Sequence, residues 1–143
     1  MITVRKAEVA DTKQLVALMD ELIHETNNPE AVANEIEEIR RDERYYLAVA
    51  CDGEVIAGTV MGILCRDICK GGRPFLVIEN VITHEAYRGN GVGRLLFEEV
   101  ERWGKENRCA YSFLASGCGR TGAHVFYERI GYSRVCGFRK YFD

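Results

Sequence analysis

No apolar run in this sequence approaches the length of a membrane span, and residues 1–25 lack the apolar core of a signal peptide. Both absences predict a cytoplasmic protein with no membrane partner. An excess of basic residues is missing too: the net charge is -3, which argues against bulk attraction to nucleic acid or anionic lipid. No internal repeat, low-complexity tract or linker interrupts the 143 residues, so a single domain over 1–143 is expected. That length supports a core without metal or disulfide staples. Cysteine is not scarce, but Cys65 and Cys69, spaced C-x3-C, have no second Cys/His pair at zinc-site spacing, and no metal is expected. Cys51 and Cys65 lie in apolar strand-like runs and Cys109 opens another, the setting of reduced thiols rather than of a disulfide framework.

What is present reads as an ordinary globular chain, 47% hydrophobic and 29% charged, with clear periodicities. Residues 2–7 alternate like a half-buried strand. Asp11 or Thr12 can cap a helix whose Leu15, Leu18, Met19 and Leu22 form one apolar stripe. Asn27-Asn28-Pro29 breaks it, and a second helix runs to about Arg41 with Val32, Ile36 and Ile39 inward. Strands are predicted over 45–51 and 54–65, joined at Asp52-Gly53, a strong hairpin signal. A long apolar strand over 75–83 is interrupted by Glu79 and Asn80. A helix over 91–107, a strand over 110–115, a helix over 123–130 ended by Gly131, and a strand over 133–142 complete the order βααβββ-αβαβ. This is an α/β layer fold with a mixed sheet.

Between the fourth strand and the third helix lies Arg88-Gly89-Asn90-Gly91-Val92-Gly93. Glycines there let the backbone take positive φ and approach a ligand, and the N–H groups gather at the positive end of a helix dipole. With Arg88 and Arg94 alongside, the segment predicts a pyrophosphate cradle, against the plainer reading of a tight turn. No Lys-Ser/Thr follows Gly93, so the loop is no Walker A motif. Its G-x-G-x-G spacing after a fourth strand also fits the dinucleotide fingerprint poorly.

This arrangement resembles the GNAT acetyltransferase superfamily, whose acetyl-CoA motif [Q/R]-x-x-G-x-[G/A] is matched by Arg88, Gly91 and Gly93. Ile78-Glu79-Asn80-Val81 and the stretch from Ala123 to Tyr132, similar to A-x-x-F-Y-x-x-x-G-[FY], extend the likeness over nearly the whole chain. The resemblance implies a mixed, mostly antiparallel sheet of six to seven strands flanked by four helices. It implies acetyl-CoA as cosubstrate, gripped by Arg88, Gly89, Asn90, Gly91, Val92, Gly93 and Arg94 and, along a splayed fourth strand, by the backbone of Val81, Ile82 and Thr83. One N–H, that of Val81, would face the thioester carbonyl. Tyr127 holds the position of the tyrosine that reaches the cofactor sulfur, and a phenol can hydrogen-bond a developing thiolate. Where many members carry Asn, seven residues before that tyrosine, this chain has Arg120, which can reach the pantetheine or a phosphate instead.

Glu79 is the candidate base. A carboxylate in a central strand is costly to bury without a role, and a raised pKa would suit amine deprotonation, directly or through water. In a regular strand Asn80 points to the opposite face, so only one of the two reaches the acceptor. His84 and His124 read better as surface or capping residues. The expected reaction is direct transfer of acetyl to a primary amine of a small molecule or peptide in a ternary complex, the alternative being a non-catalytic acyl-CoA-binding regulatory module. Acids from Asp20 to Glu43 would favour a cationic acceptor, although solvated helix faces explain them better. The resemblance also allows a homodimer.

Overall fold

The computed structural model describes residues 1–143, which divide into two compact units, Met1–Phe113 and Leu114–Asp143. No helix is long and apolar enough to cross a membrane.

In the first unit, strands β1 (Ile2–Lys6), β2 (Tyr45–Asp52), β3 (Val55–Cys65), β4 (Phe75–Thr83) and β5 (Ser112–Phe113) form one sheet in sequence order. The first four pair antiparallel, and β5 joins β4 in parallel. Helices α1 (Thr12–Ile23) and α2 (Pro29–Arg41) cover part of one face, and α3 (Val92–Glu106) lies on the other. The mixed α/β architecture is the one expected, with five strands in place of six to seven. The segment 110–115 narrows to β5, although Ala110 N–H still donates to Pro74 O and Leu76 N–H to Tyr111 O, continuing the contact beyond the ladder.

Local chemistry explains the helix boundaries. Asn28 Oδ1 accepts from Ala31 N–H at 3.0 Å, and Pro29 occupies the first turn, where its missing N–H costs nothing. Asp11 stands at the N-cap of α1 as expected, but its side chain makes no cap bond there. Its buried carboxylate instead takes a two-pronged bond from Arg5 (2.8 and 2.9 Å) and a third from Glu8 N–H (2.7 Å), tying the start of α1 to β1. The hydrogen-bonded Arg5 guanidinium holds the Asp11 pKa below its ordinary value.

The core has two layers, one on each face of the sheet, and two β-bulges change which face a strand buries along its length. Ala50 pairs with Gly58 but Cys51 pairs with Ile56, leaving Ala57 as the extra residue in β3. Ile56 therefore joins Leu15, Leu18, Ile36, Val49 and Cys51 under α1 and α2, while Gly58 faces Val92 and Leu96 of α3. On the α3 face Tyr46 meets Trp103 edge-on at 5.5 Å and donates to Glu99 Oε1 at 2.8 Å; burial pushes the phenol pKa up to about 12. The helix approaches the sheet closely over Gly62, where a Cβ would lie 2.6 Å from Val100 Cγ2. Gly62→Ala is therefore expected to destabilise the fold by about 1–3 kcal/mol, read as a lower urea midpoint at unchanged m-value.

In the second unit α4 (Thr121–Arg129) is the regular element. It ends as expected at Gly131, with Tyr132 N–H donating to Tyr127 O and Gly131 N–H to Glu128 O, the paired bonds of a Schellman motif. Residues 133–142, expected as a strand, carry none. A strand needs a partner, and this unit by itself contains no other strand.

Candidate functional site

β4 is irregular at Glu79 to Ile82. Thr59 pairs with Ile82 and Met61 with Glu79, a step of two residues in β3 against three in β4. Asn80 absorbs the extra residue in the left-handed region, at φ 54, a conformation that Asn tolerates better than most side chains. The bulge interrupts the ladder and leaves backbone polar groups around Asn80 and Val81 outside it. It also moves Ile82 to the α1/α2 face, whereas Leu76, of the same parity, packs against Gly62 and Gly104 on the α3 face. The expectation of simple alternation at Asn80 therefore fails.

Glu79 shares the α1/α2 face with Met61 and Leu47 through the register of β2, β3 and β4. It is exposed rather than buried, although Leu47 in the same row packs against the α1/α2 core.

Beyond β4, His84 N–H donates to Ala57 O, which anchors the chain at the β3 bulge. The His84 ring caps the following turn, its Nδ1 accepting from Ala86 N–H at 3.0 Å. Tyr87 donates to Asp52 Oδ2 at 2.9 Å. Arg88 donates through Nε to Thr83 O at 3.3 Å and through Nη2 to Glu21 Oε1 of α1 at 2.5 Å. Gly89 and Gly91 take φ of 80 and 78, and Asn90 Nδ2 bridges the carbonyls of Tyr87 and Arg88. Gly91 then stands at the N-cap of α3 with no side chain to satisfy the first turn. The N–H groups of Val92, Gly93 and Arg94 lack intrahelical acceptors at that position, and the helix dipole is positive there. Val92 contributes only backbone, since its side chain is buried, while Arg88 and Arg94 are exposed. These features fit a phosphate-bearing ligand.

The second unit holds the remaining candidates. Tyr127 is 8% exposed, and burial raises its pKa above 10.0, against an opposing pull from the positive charge of Arg120. That influence of Arg120, at the N-cap of α4, could not be seen in a residue pattern. His124 Nε2 hydrogen-bonds Gly117 O at 2.9 Å and so fixes the loop entering α4. Ser116 Oγ, in the same loop, is buried without a hydrogen-bond partner, and no sequence feature had marked it. The sequence-nominated residues thus fall into two groups. Glu79, Val81, Ile82, Thr83 and the 88–94 loop run continuously through the first unit, and Arg120 and Tyr127 lie together in the second.

The acetyltransferase (GNAT) family pattern matches residues 13–132. Among solved structures, a transcriptional regulator from Bacillus halodurans C-125 superposes with a TM-score of 0.93 at 29% identity, covering 99% of this chain and 100% of that one. A glucosamine-6-phosphate N-acetyltransferase from Arabidopsis thaliana gives a TM-score of 0.88 at 23% identity, covering 100% of this chain and 99% of that one, a likeness of fold. No curated protein sequence matches the chain.

Proposed function

Because the chain belongs to the GNAT acetyltransferase family, we propose that it moves the acetyl group of acetyl-CoA directly to a primary amine of a small molecule or peptide. The observation that carries this reading is the β4 bulge at Asn80, followed without a break by an uncapped α3 N-terminus flanked by Arg88 and Arg94. The family match spans both units, which supports one catalytic domain over 1–143. The N–H groups of Val92, Gly93 and Arg94, with both arginines, would hold the pyrophosphate. The β4 backbone from Val81 to Thr83 would pair with the pantetheine arm, and Val81 N–H would polarise the thioester carbonyl. Arg120 would add a cationic contact to the arm or a phosphate.

In the reaction the amine nitrogen forms a bond to the acetyl carbon and the carbon–sulfur bond breaks. The nitrogen loses a proton to Glu79 or to a water held by it, and Tyr127 donates a proton to the departing thiolate. An exposed carboxylate suits relay through water better than direct abstraction. Tyr127, kept neutral by burial, retains its proton throughout the physiological range. A cytoplasmic setting accords with this cosubstrate and with six free cysteines.

Acetyl-CoA at millimolar concentration should raise Tm, and a panel of primary amines should release free CoA thiol. Absence of any thermal shift would overturn the reading. The second reading, a non-catalytic acyl-CoA-binding regulatory module, is favoured by the name of the Bacillus halodurans relative. It predicts a thermal shift with no thiol release from any amine.

A further inference from the structure

Helices α1 and α2 cover only part of their face of the sheet. The row of Val49, Thr59 and Ile82 is buried, but the rows on the same face towards Phe75 are covered only in part. Register defines those open rows. Glu79 lies beside Met61, the next row sets Phe113 beside Val77 and Val77 beside Ile63, and the third sets Phe75 beside Cys65. Met61, Ile63, Val77 and Phe75 are half-buried, and Phe113 is 37% exposed at the open edge. The Phe75 ring is stacked on Tyr111, 44% exposed, with centroids 5.2 Å apart and planes within 4°. The result is an apolar shelf, flat at its far end, with a carboxylate at its near end. Glu79 is the one charged side chain in these rows.

We infer that this shelf is the acceptor's seat, and that the preferred acceptor is a primary amine carrying a flat apolar body, its ammonium at Glu79 and its ring over Val77 and Phe113. The inference rests on the acetyltransferase reading and goes further by naming the class of amine. Charge and shape both select it. A lone carboxylate complements one ammonium, whereas a polyamine would leave its further charges above apolar side chains, where nothing replaces their water. Spacing sets the reach. Successive rows are two residues apart, about 7 Å, so a ring two carbons from the nitrogen meets the Phe113 row. A ring at the end of a longer chain approaches the Phe75–Tyr111 stack, about 13 Å away.

The test compares 2-phenylethylamine, 4-phenylbutylamine and putrescine as acceptors, with CoA release as readout and calorimetry of each amine as a turnover-independent measure. Both aryl amines should have KM and Kd at least about tenfold below those of putrescine. Phe113→Ala should raise both constants for 2-phenylethylamine about tenfold. Tyr111→Ala should affect 4-phenylbutylamine and leave 2-phenylethylamine unchanged; both residues are exposed at the sheet edge, so both variants should fold. Equal or tighter use of putrescine would overturn the shelf while leaving the acetyltransferase reading intact. No CoA release from any amine would instead sink that reading. If sedimentation showed a dimer that Phe113→Ala dissociates with no change in either constant, the face would belong to a second copy and the inference would be wrong.

Discussion

Tyr127→Phe is expected to lower kcat for acetyl transfer by about a hundredfold or more while leaving the Kd for acetyl-CoA within about twofold. The size follows from losing a proton donor at the leaving sulfur, an interaction made as the C–S bond breaks rather than in the ground state. The ring itself is retained, with its edge-on contacts to Phe126 and Tyr132 at 5.6 and 6.4 Å, so the fold of α4 should persist. A pH profile separates the role from mere packing. Burial raises the phenol pKa above 10.0, so the wild-type kcat should hold through neutral pH and fall only as the phenol ionises above that value. The variant should lack that alkaline limb. Unchanged kcat in stopped-flow or steady-state assays would remove Tyr127 from the mechanism.

The second large effect concerns stability. Asp11→Ala removes three charge-assisted hydrogen bonds and leaves Glu8 N–H without its acceptor, which should cost about 3 kcal/mol by urea unfolding. The pH dependence has a definite sign. Because the folded-state pKa of Asp11 lies below its unfolded value, the contribution is complete above about pH 4 and is lost as pH falls towards the folded pKa. The wild-type protein should therefore lose stability faster than the alanine variant on acidification, and the two curves should converge at low pH. Parallel curves would show that the Arg5–Asp11 pair contributes nothing through its charge.

Local patterns were good guides wherever local chemistry decides. Leu15 and Leu18 announced the buried stripe of α1, Asn28-Pro29 the start of α2, and Asp52-Gly53 the β2–β3 hairpin. The loop through Gly89 and Gly91 was legible because few residues other than glycine sit comfortably at their φ angles. Features set by distant partners were not legible. Asn80 looks like any polar interruption until the register of β3 shows the inserted residue. Glu79 was expected to be buried because its neighbours are apolar, yet burial depends on how far α1 and α2 extend over the sheet. Asp11 reads as a helix cap by composition, and only the approach of Arg5 from β1 makes it an anchor instead. The final strand failed for the same reason: apolar and aromatic residues over 133–142 supply propensity, but a ladder also needs a partner.

The bond from Arg88 to Glu21 has a consequence for the thermodynamics of ligand capture. A carboxylate from α1 already balances the guanidinium of the glycine loop, and Asn90 closes that loop on its own carbonyls. An arriving phosphate would exchange one anion for another at a largely preshaped turn, so little of its binding free energy is consumed in ordering backbone. The exchange itself is cheap, since an ion pair this exposed contributes at most about 1 kcal/mol. Glu21 would thus act as a placeholder, and once displaced its charge would be released on α1.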